Sequence, residues 1–410
     1  MKIGIISQWY EPERGSGAHP TAIAEALRDR GHDVRVLTGF PSYPEGRVHS
    51  GYSMKLRLRE THNGIELLRV PDVPSHDQSA LRRALTLTSF AVSACTQVGW
   101  LRDRDVVLTY LTPATVGLAP WALQLMTKIP YVLYVQDLWP ETVVASGFIG
   151  NDKASAAVER GINRALRKLY HHASGVVAIS PTMAETLASR GATTPPVSVP
   201  NWVDEKTFVP AAGEWQRTLP ADRTWLMYAG GVGELQALQH AIRAVHLLSG
   251  RPDIGLAIVG DGVARPGLER MACGLGVDDR VLFLGSRPME EMPRLMAEAA
   301  AQLVSLRDLP LFAGTIPSKI QAAMACGSPI VCAVAGDAAR LVAETDSGVV
   351  VPPETDMALA EAFVRMVDAG EEARGRWGAN ARRAYVEELS AAAGAERLEQ
   401  VLSRAVESVS

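Results

Sequence analysis

A chain of 410 residues exceeds one ordinary hydrophobic core and suits two domains. Hydrophobic residues make up 47% and charged residues 21%, the balance expected of a soluble globular protein, and four cysteines without paired metal-ligand spacing fit a reducing cytoplasm. The formal net charge of -4 excludes a surface built to follow a nucleic-acid backbone.

In chain order, the opening MKIGIIS reads as a first strand, because acidic and polar residues follow it too early for a signal peptide. Strand candidates in the first half are Lys2–Ile6, Asp33–Leu37, Ile65–Val70, Val106–Tyr110, Tyr131–Val135 and Gly175–Ile179. Between the first two, Thr21–Arg30 has Ile23 and Leu27 on one helical face, and Gly31 follows where a helix ends on glycine. Ala84 to Leu101 is uncharged but carries Thr86, Thr88, Ser89, Ser93, Thr96 and Gln97, so it reads as a domain helix and not as a membrane span. A second reading lays that helix on a membrane surface, with Arg82 and Arg83 at its start. Ser180-Pro-Thr opens another helix, and proline-bearing polar sequence from about Val197 to Arg223 reads as a linker.

The alternation then restarts with strands expected at Trp225–Ala229, Gly255–Val259, Val281–Leu284, Ala301–Ser305, Pro329–Ala333 and Gly348–Val351, and from Leu359 onward the pattern is helical. The expected fold is α/β: two Rossmann-like, doubly wound units facing a deep cleft. Their spans are residues 1–200 and 201–385, with a helix over 386–410 crossing back to the first. Cys326 and Cys332 read as buried thiols, and Cys95 and Cys273 complete a set of four without metal-ligand spacing.

Open parallel sheets bind ligands beyond the carboxyl ends of their strands, so the loops after strands come first. Glu13 to Pro20, including Gly15, Gly17 and His19, places small residues before a helix N-terminus, which favours an anion or a sugar hydroxyl. It lacks the third glycine of a dinucleotide fingerprint. Tyr228 to Gly233 holds Gly230, Gly231 and Gly233, whose amides can close on a diphosphate, with no Lys-Ser/Thr of a P-loop behind it; the helix after it is expected over Glu234–Leu248. Gly314 to Gln321 brings Thr315, Ser318 and Lys319 to a helix start, as phosphate neutralisation requires; an ordinary capped helix with an exposed lysine is the alternative. Gln136-Asp-Leu-Trp-Pro-Glu carries Asp137 and Glu141 as acid, base or hydroxyl-binding groups, against a capping role for Asp137. Asp103 and Asp105 resemble a metal-binding pair only superficially, since they precede a strand, and His171 and His172 read as surface residues.

Together these segments resemble the bacterial family 4 glycosyltransferases of the GT-B fold, with the nearest likeness to the subgroup that includes fucosamine-type transferases. The resemblance is carried by residues 30–46 (RGHDVRVLTGFPSYPEG), 136–141 (QDLWPE), 200–204 (PNWVD), 259–262 (VGDG) and 316–320 (IPSKI), in that order. It implies a retaining transfer from a nucleotide diphosphate sugar, UDP-linked in that subgroup, without a metal or other cofactor, to a small-molecule or lipid-linked acceptor. The second domain would hold the donor through Gly231, Arg287, Thr315, Ser318, Lys319 and Gln321. The first would contribute Gly17 and Asp137, with His19, Gln136 and Glu141 toward the acceptor. Catalysis would rest on Lys319 and Asp137. Three departures stand out: Gln136 occupies a place held by histidine in many members, and Gln321 and Ala313 occupy places held by glutamate. They keep open a pseudo-glycosyltransferase, a sugar-nucleotide epimerase or a non-catalytic nucleotide-sugar-binding protein.

Overall fold

The computed structural model describes residues 1–13, 17–42, 46–74, 80–141 and 153–409. The chain divides into two compact units, Met1–Asn201 with Gly394–Ser410, and Trp202–Ala393.

The first unit contains β1 (Lys2–Ile6), α1 (Ala18–Asp29), β2 (Asp33–Gly39), β3 (Leu58–His62), β4 (Ile65–Val70), α2 (Ala80–Gln97), β5 (Val106–Leu111), α3 (Leu118–Thr127), β6 (Tyr131–Val135), α4 (Lys153–His172), β7 (Gly175–Ala178), α5 (Pro181–Ser189) and β8 (Val197–Ser198). Its central strands VVLTYL and YVLYV are buried along their whole length. Continuous apolar runs of that kind belong to parallel sheets covered on both faces. The sheet runs β3-β4-β2-β1-β5-β6-β7-β8, parallel except for the β3–β4 hairpin. Helices α2, α3 and α4 build one core through Phe90, Leu123 and Leu166. Ile23 and Leu27 of α1 are buried, as their spacing predicts.

Two features depart from expectation. The antiparallel edge strand β3 is absent from the sequence reading, although Asn63 and Gly64 form its turn with φ of 48° and 78°. Those left-handed values suit a two-residue hairpin loop. The uncharged stretch is α2 followed by a short 3₁₀ turn, Val98–Leu101, and it buries Phe90, Ala94, Val98 and Leu101 inside the domain. Among the described residues no helix is long and apolar enough to cross a membrane.

The second unit contains β9 (Thr224–Ala229), α6 (Leu238–Leu247), β10 (Ile254–Val259), α7 (Arg265–Gly274), β11 (Val281–Gly285), α8 (Met292–Glu298), β12 (Ala301–Ser305), α9 (Ser318–Ala325), β13 (Ile330–Ala333), α10 (Asp337–Glu344), β14 (Gly348–Val350), α11 (Asp356–Asp368) and α12 (Gly370–Ala384). The last helix, α13 (Ala391–Glu407), lies almost wholly in the first unit. The second sheet is fully parallel, ordered β11-β10-β9-β12-β13-β14. Cys326 and Cys332 are buried thiols in its core. The helix expected over Glu234–Leu248 is instead a 3₁₀ turn, Glu234–Gln236, and then α6. Gln236 Oε1 accepts the Gly233 amide at 2.9 Å and Ala237 turns left-handed at φ 52°, which breaks the helix there.

Candidate active site

In the second unit the strand order reverses between β9 and β12, the place where an open α/β sheet presents a crevice. Gly230 to Gly233 leave β9 at this point, and α9 starts from the segment after β12. Lys319, the second residue of α9, sets its ammonium 5.2 Å from the centre of the Tyr228 ring. Gly230 has φ +141°, and a Cβ there would lie 2.5 Å from Lys319 Cε and 3.0 Å from Nζ. Only glycine lets the lysine lie against the loop. The Tyr228 hydroxyl donates to the Gly231 carbonyl at 2.6 Å, bracing the same loop.

Burial lowers the Lys319 pKa from its ordinary value. No carboxylate among the described residues lies within ion-pair distance of it. A half-buried cation held on an aromatic face, with no counter-ion, is prepared for an external anion. The structure therefore brings together Lys319, Gly230 and Gly231. Ser318 is exposed at the first position of α9. Thr315 turns its hydroxyl back toward the Leu311 carbonyl at 3.4 Å, and Gln321 is buried within α9. Arg287 is exposed in the segment after β11, with no hydrogen bond or ion pair among the described residues.

In the first unit the reversal falls between β1 and β5. Three rings gather beside it, Tyr110 and Tyr134 near the carboxyl ends of β5 and β6 and His19 in the first turn of α1. His19 lies 5.7 Å from Tyr110 and 5.9 Å from Tyr134, and the two tyrosines are 6.0 Å apart. Burial holds the His19 imidazole down to about 3, so it is neutral near pH 7. Gln136 Oε1 accepts from the Tyr110 hydroxyl at 3.1 Å and from Asn201 Nδ2 at 2.8 Å. Its Nε2 is buried without a partner. Asp137 follows, its Oδ2 accepting from the Thr112 hydroxyl at 2.7 Å. An orphaned amide donor beside an oriented carboxylate suits a ligand rich in hydroxyls.

Gly17 precedes α1, and a Cβ on it would meet Glu13 Cβ at 2.8 Å. The remaining loop residues Arg14, Gly15 and Ser16 lie outside the described residues, as do Tyr43 to Glu45 of the quoted 30–46 segment. Glu13 is buried and accepts the backbone amides of Tyr10 at 3.2 Å and Ser42 at 2.7 Å. Asp72, near the end of β4, is buried close by, and burial with the nearby Glu13 charge raises its carboxyl to about 7. Glu141 is ion-paired through both oxygens to Arg190, whose guanidinium also donates to the Trp139 carbonyl at 2.9 Å. Asp103 pairs with Arg35 and Arg104, and Asp105 accepts the Lys2 amide at 2.7 Å, so this acid pair serves the fold. His171 and His172 are exposed in the last turn of α4.

Tyr110, Tyr134, Asn201 and Tyr228 carry these contacts without having been assigned roles from sequence. Asn201 stands in the quoted 200–204 segment and Tyr228 opens the glycine loop. The other two sit at strand ends inside apolar runs, where an aromatic residue reads as core.

Residues 14–202 match the family described as glycosyl transferase 4-like domain, and residues 223–369 match glycosyl transferases group 1. The putative colanic acid biosynthesis glycosyl transferase WcaI of Escherichia coli K12 is 29% identical over 372 residues, 87% of this chain and 89% of that protein. A GDP-mannose-dependent alpha-mannosyltransferase of Mycolicibacterium smegmatis is 26% identical, spanning 94% of this chain and 93% of its own length. Among solved structures, Anabaena Alr3699/HepE in complex with UDP aligns with a TM-score of 0.69 at 18% identity, covering 98% of this chain and 100% of that one. Sucrose-phosphate synthase from Thermosynechococcus elongatus aligns at 0.69 and 20% identity, covering both chains completely. The architecture is GT-B.

Proposed function

The chain belongs to the glycosyltransferases, and we propose that it moves a sugar from a UDP-linked donor to a hydroxyl acceptor with retention of configuration. The observation that carries this reading is the Lys319 ammonium, held between Tyr228 and Gly230 without a counter-ion among the described residues. A diphosphate supplies the missing charge, and of the expected loop amides only Gly231 remains to donate to its oxygens. The others are engaged: Gly230 donates to the Val259 carbonyl, Val232 to the Asp261 carbonyl and Gly233 to Gln236 Oε1, each at 2.9 Å. Ser318 and Thr315 lie close in sequence and complete the phosphate side, while Gln321 and Arg287 are assigned to the nucleoside. Gln321 accepts from ribose hydroxyls with less strength than a carboxylate would.

On the first unit Asp137 orients the acceptor hydroxyl, with Gln136 and the neutral His19 as hydrogen-bonding partners and Gly17 leaving room for the donor sugar. Glu141, held by Arg190, fixes the loop that carries Asp137. In the proposed step the bond from the anomeric carbon to the phosphate oxygen breaks as the acceptor oxygen bonds to that carbon on the same face. The acceptor proton passes to the departing phosphate, so no metal and no enzyme nucleophile is required. Lys319 stabilises the developing diphosphate charge, worth about 3 kcal/mol or roughly a hundredfold in rate. The acceptor belongs to surface-saccharide or natural-product assembly, in keeping with the role printed in WcaI's description.

Calorimetric titration with UDP and GDP in the presence of a chelator tests the donor site. UDP is expected to bind in the micromolar range, and Lys319→Ala to weaken it by about a hundredfold. GDP binding in place of UDP would correct the base, as the mannosyltransferase relative allows. Loss of all binding in chelator, or an unaffected Lys319→Ala, sinks the reading.

A further inference from the structure

The first unit carries a surface that none of the site chemistry uses. Along α4, Arg160, Arg164, Arg167 and Lys168 are exposed, and none has a carboxylate within ion-pair distance among the described residues. Their spacing of four, three and one places them on one side of the helix, with the exposed His171 continuing the row. Glu159 is the only acid in residues 153–172. Beside α4, helix α3 exposes Leu118 at 46%, Leu125 at 65% and Met126 at 62%. Between the two helices lies an apolar groove of about 160 Å³, lined by Leu118, Trp121, Trp139, Ile162 and Ala165 among others. The Trp121 ring stacks on His172 at 6.0 Å, joining the apolar and basic parts.

We infer that this face of α3 and α4 docks on an anionic lipid bilayer. Exposed leucines and methionine, two tryptophans at the groove and a row of uncompensated arginines match the two demands of a charged membrane surface. Apolar groups enter the acyl boundary while cations meet lipid phosphates. A second copy of this chain is disfavoured as the occupant, because two such faces would set arginine rows against each other. The helices are too short or too polar to span, so the contact is peripheral. The surface differs from the α2 start at Arg82 and Arg83 that the sequence suggested, whose side chains lie outside the described residues. It also has a position of consequence. Trp139 stands two residues after Asp137, and the groove residue Thr115 stands three after Thr112, the donor to Asp137. A docked chain therefore holds the Asp137 loop at the lipid boundary, where a lipid-linked acceptor offers its hydroxyl.

The docking does not depend on the transfer reading and is tested apart from it, by flotation with phosphatidylcholine vesicles with and without phosphatidylglycerol. Wild type is expected to float only with the anionic vesicles and to be released as salt rises from about 0.05 M to about 0.5 M. Arg160→Glu, Arg164→Glu and Lys168→Glu combined should lower the partition coefficient by about a hundredfold or more. Leu125→Ser with Met126→Ser should lower it about tenfold while keeping the salt dependence. Unchanged circular dichroism shows that each variant is folded, since every altered side chain is exposed. Equal flotation of wild type and the charge variant overturns the inference. So does failure of wild type to float with anionic vesicles at low salt, or a dimer in sedimentation that the same substitutions dissolve. Absence of nucleotide binding bears only on the donor site.

Discussion

Asp72 is held with Oδ2 3.5 Å from Gln8 Nε2, and both Asp72 Oδ1 and Gln8 Oε1 are buried without partners. Burial and the neighbouring Glu13 raise its carboxyl to about 7. A carboxyl whose folded value is raised binds its proton more tightly folded than unfolded. Its contribution is therefore complete below the unfolded value near 4 and is lost as pH rises through about 7. The loss reaches at most about 4 kcal/mol, so Asp72→Asn should flatten the melting-temperature profile and stabilise the protein most near pH 8. An equal effect of the substitution at about pH 5 and about pH 8 would remove the titration from the account. His19 has the opposite sign: its neutral form is favoured, so its contribution is lost as pH falls from near 6.5 toward 3. At this scale Lys319 and Asp137 were legible, because a rare lysine at a helix start and an acid after a strand advertise themselves. The tyrosines were not, since a ring that supports a site and a ring that fills a core occupy the same positions in a pattern.

The β3–β4 hairpin shows how an element escapes and yet leaves a mark. LRETH is a polar edge strand with no apolar run to announce it, and only the Asn63-Gly64 turn signals the pairing. That edge is anchored by Arg69, which donates to Glu60 across the ladder at 2.5 Å and to the Gly39 carbonyl at 3.0 Å. Gly64→Val should cost roughly 1–3 kcal/mol by forcing a β-branched residue to φ 78°, read as a lower urea midpoint with unchanged slope. A midpoint equal to wild type would show that the turn does not hold the edge. The buried parallel strands were readable for the opposite reason: both faces are covered, so their sequences are apolar throughout. The break at Ala237 was hidden because Gln236 closes a turn through its side chain, while the residues around it follow a helical period.

Over the whole molecule, both sheets share one order, a first strand flanked on one side by the second and on the other by the fourth of the parallel series. Each unit therefore sets its glycine-bearing loop at its own reversal point, which is why alternation alone placed the loops worth inspecting. The first unit is completed by α13, which buries Leu398, Val401, Leu402 and Ala405. A Cβ on Gly175 would come within 2.9 Å of Val401 Cγ1, so the helix lies tight against β7. Glu399 ties it further, to Arg30 at 2.5 Å and His32 at 3.1 Å. Removing residues 391–410 forfeits roughly 1.5–3 kcal/mol for each large buried side chain, enough to consume much of a domain's stability. Rapid proteolysis confined to residues 1–201 is the expected result, and a fragment as resistant as the full chain would argue against it.

The return of that helix also sets an order of events during synthesis. Residues 1–201 leave the ribosome first, yet the strand at Gly175 waits for Val401, a residue made after the entire second unit. The domain begun earliest is thus finished latest, and a chain halted anywhere before α13 leaves an open apolar seam along its N-terminal half for chaperones to shield.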